Sequence, residues 1–248
     1  MVSGRLRLDQ FLVTRGFFAS RSRAQDAIAR GAVEVDGASA LKPSQTVRTE
    51  AKIAVHDEAA GYASRSALKL KHALDHFQLD ANVALALDIG ASAGGFTQVL
   101  LERGARQVVA IDVGHGQLAP ELRADPRVRL LEGLNIRELR ASHLQAEVDF
   151  IACDVSFISL KLALPPALAL AAPSATLVAL IKPQYEAGPK AVAGSGVVRD
   201  PVIHRLICDH IESWLSAQPS WRVIGLTPSP ILGGDGNREF LIAAQKSR

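Results

Sequence analysis

The chain has 248 residues, room for one large domain or two modest ones at roughly 150 residues each. Hydrophobic residues make up 48% and charged residues 21%, which excludes the apolar-poor, charge-rich class of disordered chains. The net charge is only +3, but residues 1–30 hold six arginines against Asp9 and Asp26, whereas the rest holds 22 basic and 23 acidic residues. A basic excess at one end suits a polyanionic partner, either nucleic acid or an anionic membrane surface. Cys153 and Cys208 lie far apart with no C-x-x-C pairing, so neither a disulfide framework nor a zinc site is expected, and a reducing cytoplasm fits. The amino-terminal Met1-Val-Ser-Gly-Arg-Leu-Arg lacks the apolar run of a secretory signal.

Leu8, Phe11 and Leu12 sit at helical spacing ahead of Gly16, and Ser20 is placed to cap a second helix running to Gly31. Arg21 and Arg23 fall in the first turn of that helix, against the dipole preference for acids, so phosphate binding explains them better than helix stability. Alternating Val33 and Val35, a turn at Asp36-Gly37, a bend at Lys42-Pro43-Ser44 and a short strand from Ile53 to Val55 complete a small αα-then-β unit. His56 to Gly61 reads as a linker, which gives an expected division into a small domain over 1–58, a linker over 59–63 and a larger domain over 64–248. Ser64 is then placed to cap a helix through Phe77, carrying Leu68, Leu74 and Phe77 inward and Lys69 and Lys71 elsewhere.

From residue 83 onward strands and helices alternate. Apolar runs from Val83, Gln107, Phe150 and Thr176 end on Asp88, Asp112, Asp154 and Lys182, the signature of a doubly wound α/β sheet. In such sheets ligands bind at the carboxyl ends of the strands, where those four charges fall. Leu162 to Ile181 is uncharged for twenty residues, but Pro165, Pro166 and Pro173 interrupt it, so a helix followed by a buried strand is expected rather than a membrane span. A helix over 201–217, a strand over 222–226 and a last strand over 239–244 complete the expected fold. It is an α/β, Rossmann-like sheet preceded by a small α+β domain.

The segment Asp88-Ile-Gly-Ala-Ser-Ala-Gly-Gly-Phe96 turns from strand to helix with glycines where backbone bends tightly or approaches a ligand. Its D-x-G-x-x-x-G-G spacing differs from the dinucleotide fingerprint and is the loop usually seen in class I S-adenosylmethionine-dependent methyltransferases. Asp112, at the next strand end, is placed to accept hydrogen bonds from a ribose diol. Asp88, Gly90, Ala91, Ser92, Gly94, Gly95, Phe96, Asp112, Val113, Asn135 and Asp154 are the expected cofactor-side residues, with Asn135 toward the adenine. His115 lies beside this strand end, a possible contact for cofactor or RNA.

Further stretches join that loop: Arg5-Leu-Arg-Leu-Asp-Gln-Phe-Leu, Ser64-Arg-Ser-Ala-Leu-Lys-Leu, Asp112-Val-Gly-His-Gly-Gln-Leu, Asp154-Val-Ser-Phe-Ile-Ser-Leu, Ile181-Lys-Pro-Gln-Tyr-Glu and Gly236-Asn-Arg-Glu-Phe-Leu. Together they span the chain, which resembles the TlyA family of haemolysin-A-type ribosomal RNA 2′-O-methyltransferases. The resemblance implies a first domain like the RNA-binding module of the fourth small-subunit ribosomal protein and a second like the FtsJ-type methyltransferase. It also implies S-adenosylmethionine as cofactor, cytidine ribose in 16S or 23S ribosomal RNA as acceptor, and a Lys-Asp-Lys-Glu tetrad carried onto Lys69, Asp154, Lys182 and Glu239. Ser66-Ala67, Ala93 and Tyr185 depart from the residues common there, by small or isosteric changes.

The chemistry agrees. Methyl transfer from a sulfonium needs the acceptor oxygen in line and a group that takes the hydroxyl proton, a role for which Lys182 at a strand end is suited. A lysine with an ordinary pKa near ~10.4 is protonated at neutral pH. Burial and a neighbouring Lys69 work to lower that value while Asp154 and Glu239 work to raise it, so the acids orient the lysines rather than activate them. Arg5, Arg7, Arg15, Arg21, Arg23, Lys42 and Arg65 are the expected phosphate contacts. Phe96 and Phe157 are read as packing residues, with contact of one of them to the base or cofactor as the lesser alternative, while Phe11, Phe17 and Phe18 are equally suited to core or stacking roles.

His72 and His76 have i, i+4 spacing without a third ligand, so no metal is expected. The rival readings are a membrane-active haemolysin and a catalytically silent ribosome-assembly factor. Intact Lys69, Asp154, Lys182 and Glu239 argue against the second, and the absence of a signal or an uninterrupted apolar span argues against the first and against stable membrane association.

Overall fold

The computed structural model of the chain describes residues 4–40, 42–187, 196–234 and 236–248. Met1 to Ser3 of the amino-terminal stretch lie outside the described residues. Two compact units form, Met1–Gly61 and Tyr62–Arg248.

In unit 1, strand β1 (Arg5–Arg7) leads into helices α1 (Leu8–Thr14) and α2 (Arg21–Ala29). The expected helix signals operate: Ser20 Oγ accepts from Arg23 N at 3.3 Å, and Gly16 and Gly31 follow the two helices at positive φ. Strands β2 (Val33–Val35), β3 (Ala38–Ser39), β4 (Thr46–Arg48) and β5 (Ile53–Val55) follow. They form a three-stranded sheet in the order β3-β2-β5 and a two-stranded β1-β4 sheet. Leu8, Phe11, Leu12, Ala27, Ile28 and Val33 are nearly or fully buried and make its core. The stretch after β5 is anchored rather than loose at its start, because His56 N donates to Ala32 O at 2.8 Å and Arg30 grips both Asp57 oxygens at 2.6 and 3.2 Å.

Unit 2 opens with α3 (Ala67–His76), then β6 (Leu85–Ile89), α4 (Gly95–Glu102), β7 (Gln107–Asp112), α5 (Pro120–Ala124), β8 (Val128–Glu132) and β9 (Val148–Cys153). It continues through α6 (Leu160–Ala163), α7 (Pro165–Ala169), β10 (Ala171–Ile181), α8 (Pro183–Glu186), α9 (Pro201–Ser216), β11 (Trp221–Pro228) and β12 (Phe240–Lys246). The seven strands lie in the order β11-β12-β10-β9-β6-β7-β8. Pairs from β10 through β8 are parallel, and β12 and β11 add to them antiparallel. Strand order reverses between β6 and β9, and that switch point opens a crevice beyond the carboxyl ends of the strands.

Three details differ from the sequence-based expectation. Strand β8, Val-Arg-Leu-Leu-Glu, had no continuous apolar run to announce it, because as an edge strand it is only half-buried throughout. The inward face of α3 is Ala67, Lys69, Leu70, Ala73 and Leu74, with Leu68 only half-buried; Lys69 turns inward because an acid waits there. The uncharged stretch 162–181 holds two short helices and a strand that already begins at Ala171. Pro173, which cannot donate to the ladder, falls where the β9–β10 register shifts between Ala171 and Thr176. No helix of the described residues is long and apolar enough to cross a membrane.

Candidate active site

After β6 the backbone turns at Gly90, with φ +84° and its N–H donating to Ile111 O at 2.9 Å. A Cβ at this glycine would lie 2.5 Å from the Asp154 carbonyl oxygen, so only glycine lets the β6 and β9 ends lie this close. Asp112 organises the neighbouring turn: Oδ2 accepts from Ser92 N at 2.8 Å and Oδ1 from Gly114 N at 2.7 Å. Ser92 is held at positive φ by that bond. Between these loops lies a cavity of about 770 Å³. Its polar lining includes Ser92, Asp112, Asn135 and Asp154, and its apolar walls include Ile89, Ile111, Leu134 and Ile136. Gly90 and Val113 also line it.

The other residues expected on the cofactor side shape the cavity from behind. Asp88 is fully buried; Thr97 Oγ1 donates to its Oδ2 at 2.6 Å, while Oδ1 has no hydrogen-bond partner. Burial, reinforced by the charges of Asp154 and Asp112 and opposed by the Thr97 hydroxyl, pushes its carboxyl up to about 7. The Ala91 N–H is spent on Ile111 O at 3.1 Å. Gly94 starts α4 at φ +99°, Gly95 packs against Ser64, Ser66 and Ala67, and Phe96 is core. Asn135 Oδ1 accepts from Arg137 N at 3.1 Å and Arg137 Nε at 3.2 Å, capping a short 3₁₀ turn. His115 packs over Gly133 and is not part of the cavity lining.

Two lysine–carboxylate pairs form at this end of the sheet, one of them through Asp154 of the cavity lining. Lys182 Nζ lies 2.6 Å from Asp154 Oδ1 and donates to Ser156 Oγ at 2.9 Å. Lys69 Nζ lies 2.6 Å from Glu239 Oε2, with both side chains nearly inaccessible. The sheet brings the pairs to one place: Phe240 on β12 lies opposite Ile181 on β10, so Glu239 and Lys182 each lie one residue beyond the same rung. Asp154 follows β9, the other neighbour of β10, and Lys69 reaches in from α3. The four residues expected to act together therefore meet at a single end of the sheet.

Phe157 corrects the expectation that it packs. It is 88% exposed, at φ 65°, lines the cavity mouth and rests against Tyr185 with ring centroids 5.0 Å apart. Its segment is stapled to the chain after β10, because Glu186 accepts from Ser159 Oγ at 2.6 Å and from Leu160 N at 2.7 Å. Ser156, Tyr185 and Glu186 lie in stretches that carry the family resemblance, but the sequence reading gave none of them a role at the site.

In unit 1, Arg7 and Arg21 converge on Asp9. Arg7 Nε and Nη2 donate to its two oxygens at 3.1 Å each, Arg21 Nη2 at 2.9 Å and Gln25 Nε2 at 2.7 Å. Hydrogen bonds led by that from Arg7 hold the carboxyl far below the usual range, against its burial. Arg5 is exposed and directly opposite Arg48, a cation the sequence reading missed because nothing short of strand register pairs them. Arg15 lies over the Phe11 ring at 5.4 Å. Lys42 is exposed at its bend, Arg23 sits in the first turn of α2, and Arg65 belongs to unit 2. Phe11 and Phe18 are core, and Phe17 is 43% exposed. His72 and His76 stack at 5.6 Å, and no metal-holding group of three side chains occurs among the described residues.

Residues 62–246 match the model of the FtsJ-like methyltransferase family, and residues 6–53 match that of the S4 domain. The 16S/23S rRNA (cytidine-2′-O)-methyltransferase TlyA of Mycobacterium tuberculosis is 42% identical over 239 residues, covering 96% of this chain and 89% of that protein. The chain belongs to the TlyA family of FtsJ-like methyltransferases. Hemolysin A of Brachyspira hyodysenteriae is 36% identical over 95% of this chain and 98% of its own length. A solved structure from Streptococcus thermophilus that carries a provisional hemolysin label superposes with a TM-score of 0.75 at 36% identity, covering 99% of this chain and 90% of that one. Family and fold thus agree with the doubly wound reading and with an S4 domain at the amino-terminal end.

Proposed function

We propose that this protein methylates the 2′-hydroxyl of a cytidine ribose in ribosomal RNA, in the cytoplasm, using S-adenosylmethionine. The observation that carries the reading is the meeting of Lys182–Asp154 and Lys69–Glu239 at the carboxyl end of the sheet, with Asp154 in the cavity lining.

The residues present fit that cofactor. Asp112 and Asp154 in the lining and Asp88 beneath it suit a cationic, phosphate-free ligand; the apolar walls suit a purine, and the unpartnered Asp88 Oδ1 is an acceptor still to be satisfied. When bound, the cofactor supplies an electrophilic methyl on a sulfonium. Asp112, fixed by two backbone amides, retains lone pairs for a ribose diol, and the Gly90 backbone lies in the cavity lining.

Asp154 and Ser156 orient the Lys182 amine, whose Nζ in its neutral form takes the proton of the acceptor hydroxyl. Lys69, held by Glu239, adds a fixed positive charge beside the developing alkoxide. The exposed cations of unit 1 bind RNA phosphates without reading sequence. The reading is tested with labelled cofactor on purified ribosomal subunits and on naked ribosomal RNA. Label in alkali-resistant dinucleotides is the expected result; label on a base, or none on any RNA despite bound cofactor, overturns it.

A further inference from the structure

Glu239 sits in a loop, one residue before β12, yet its carboxylate is among the least accessible in the chain. Its Oε2 meets Lys69, and its Oε1 faces Gly233. A Cβ at position 233 would lie 2.5 Å from Oε1 and 3.0 Å from Cδ. Gly233 has no positive φ that would call for glycine, so the effect of a Cβ there would be to push the end of the Glu239 side chain from its place. The loop closes on itself through Gly233 N to Asn237 O at 2.8 Å, Gly236 N to Gly233 O at 3.0 Å and Ser229 N to Glu239 O at 2.9 Å.

Asn237, two residues before Glu239, is fully buried and uses both ends of its amide. Its Oδ1 accepts from Val198 N at 3.0 Å, and its Nδ2 donates to Gly196 O at 3.1 Å. The same 196–198 segment is held from the other side by His204 Nε2, 2.9 Å from Val198 O; His204 lies on α9 and packs edge-on against Phe240. Asn237 thus stands where two non-sheet segments meet, and replaces the ladder that neither can form.

We infer that Gly233 and Asn237 are positioning residues that fix the Glu239 carboxylate on Lys69: Gly233 by leaving the space that Oε1 fills, Asn237 by tying the Glu239 loop to the segment before α9. Neither touches the reacting atoms. The inference rests on the reading of Lys69 and Glu239 as part of the methyl-transfer site. A carboxylate displaced by about 1 Å leaves Lys69 misaligned, a shift that costs on the order of 100-fold in turnover.

The test is a double-mutant cycle on the full chain, with Gly233→Ala and Glu239→Ala alone and combined, read in single-turnover methyl transfer, cofactor Kd and unfolding midpoint. Gly233→Ala is expected to lower turnover about 100-fold with cofactor Kd unchanged, and to cost nothing further when Glu239 is already alanine. An undiminished rate for Gly233→Ala, or an equal loss in both backgrounds, overturns the inference. Asn237→Ala, which removes both amide contacts to the 196–198 segment, is expected to lower turnover with cofactor Kd unchanged; native turnover removes Asn237 from the account. Failure of the methyl-transfer reading is separable: native protein then transfers no methyl, while the unfolding midpoints still report whether Gly233 and Glu239 are coupled.

Discussion

In unit 1 Arg30 is largely buried on Asp57, but the expected phosphate contacts stay near the surface: the Arg7 and Arg21 side chains, 42% and 50% exposed, close over the wholly covered Asp9, and Arg5 faces Arg48 across two short strands. In unit 2 the Lys69 and Glu239 side chains are 7% and 3% exposed, and Lys182 and Asp154 are 11% and 12%. Hydrated guanidiniums are screened within about 8 Å at physiological salt and pay little desolvation when a phosphate replaces water, which suits reversible capture of a polyanion. Buried pairs are costly to desolvate and are weak sources of stability; what they provide is fixed geometry. The difference fits the proposed division, with docking in the first region and chemistry in the second.

The comparison is broken most severely by leaving a buried charge alone. Glu239→Ala strands the Lys69 ammonium, and urea unfolding should give a loss of about 3–5 kcal/mol, against little change for Arg5→Ala. The next effect is a pH dependence. The carboxyl of Asp88 is raised to about 7, so its contribution is fully present below its unfolded value near pH ~4 and is lost as pH rises through about 7. Asp88→Asn should therefore flatten the decline of the melting temperature between those limits; an unchanged decline assigns it to another group.

Smaller effects belong to the surface. Arg5→Ala and Arg48→Ala each take one cation away from the RNA phosphates, so each should reduce the salt slope of single-stranded RNA binding by about 0.7, without altering preference among sequences. The last effect is in acid. The lowered Asp9 value supplies stability above its unfolded pKa, lost as pH falls, so native and Asp9→Asn chains should converge in stability only at strongly acid pH.

Strong local rules are readable in the sequence itself. Ser20 and Gly16 mark helix ends in unit 1, and four apolar runs ending on charge locate the central strands and the crevice above them. The tetrad positions were carried by the family resemblance, since Lys69 and Glu239 are 170 residues apart and no periodicity joins them. Long-range pairing hid the rest. Strand register brings Arg48 to Arg5, a loop at positive φ lifts Phe157 out of the core, and a buried amide makes Asn237 a strut. Strand β8 escaped because an edge strand need not be apolar on both faces.

The most direct test of the account compares native and Lys182→Ala protein, both loaded with labelled S-adenosylmethionine, on ribosomal subunits under single-turnover conditions. The account predicts methyl on a ribose 2′-oxygen with the native chain, and a rate about 100- to 10,000-fold lower for Lys182→Ala at unchanged cofactor affinity. Methylation by Lys182→Ala at the native rate would contradict it.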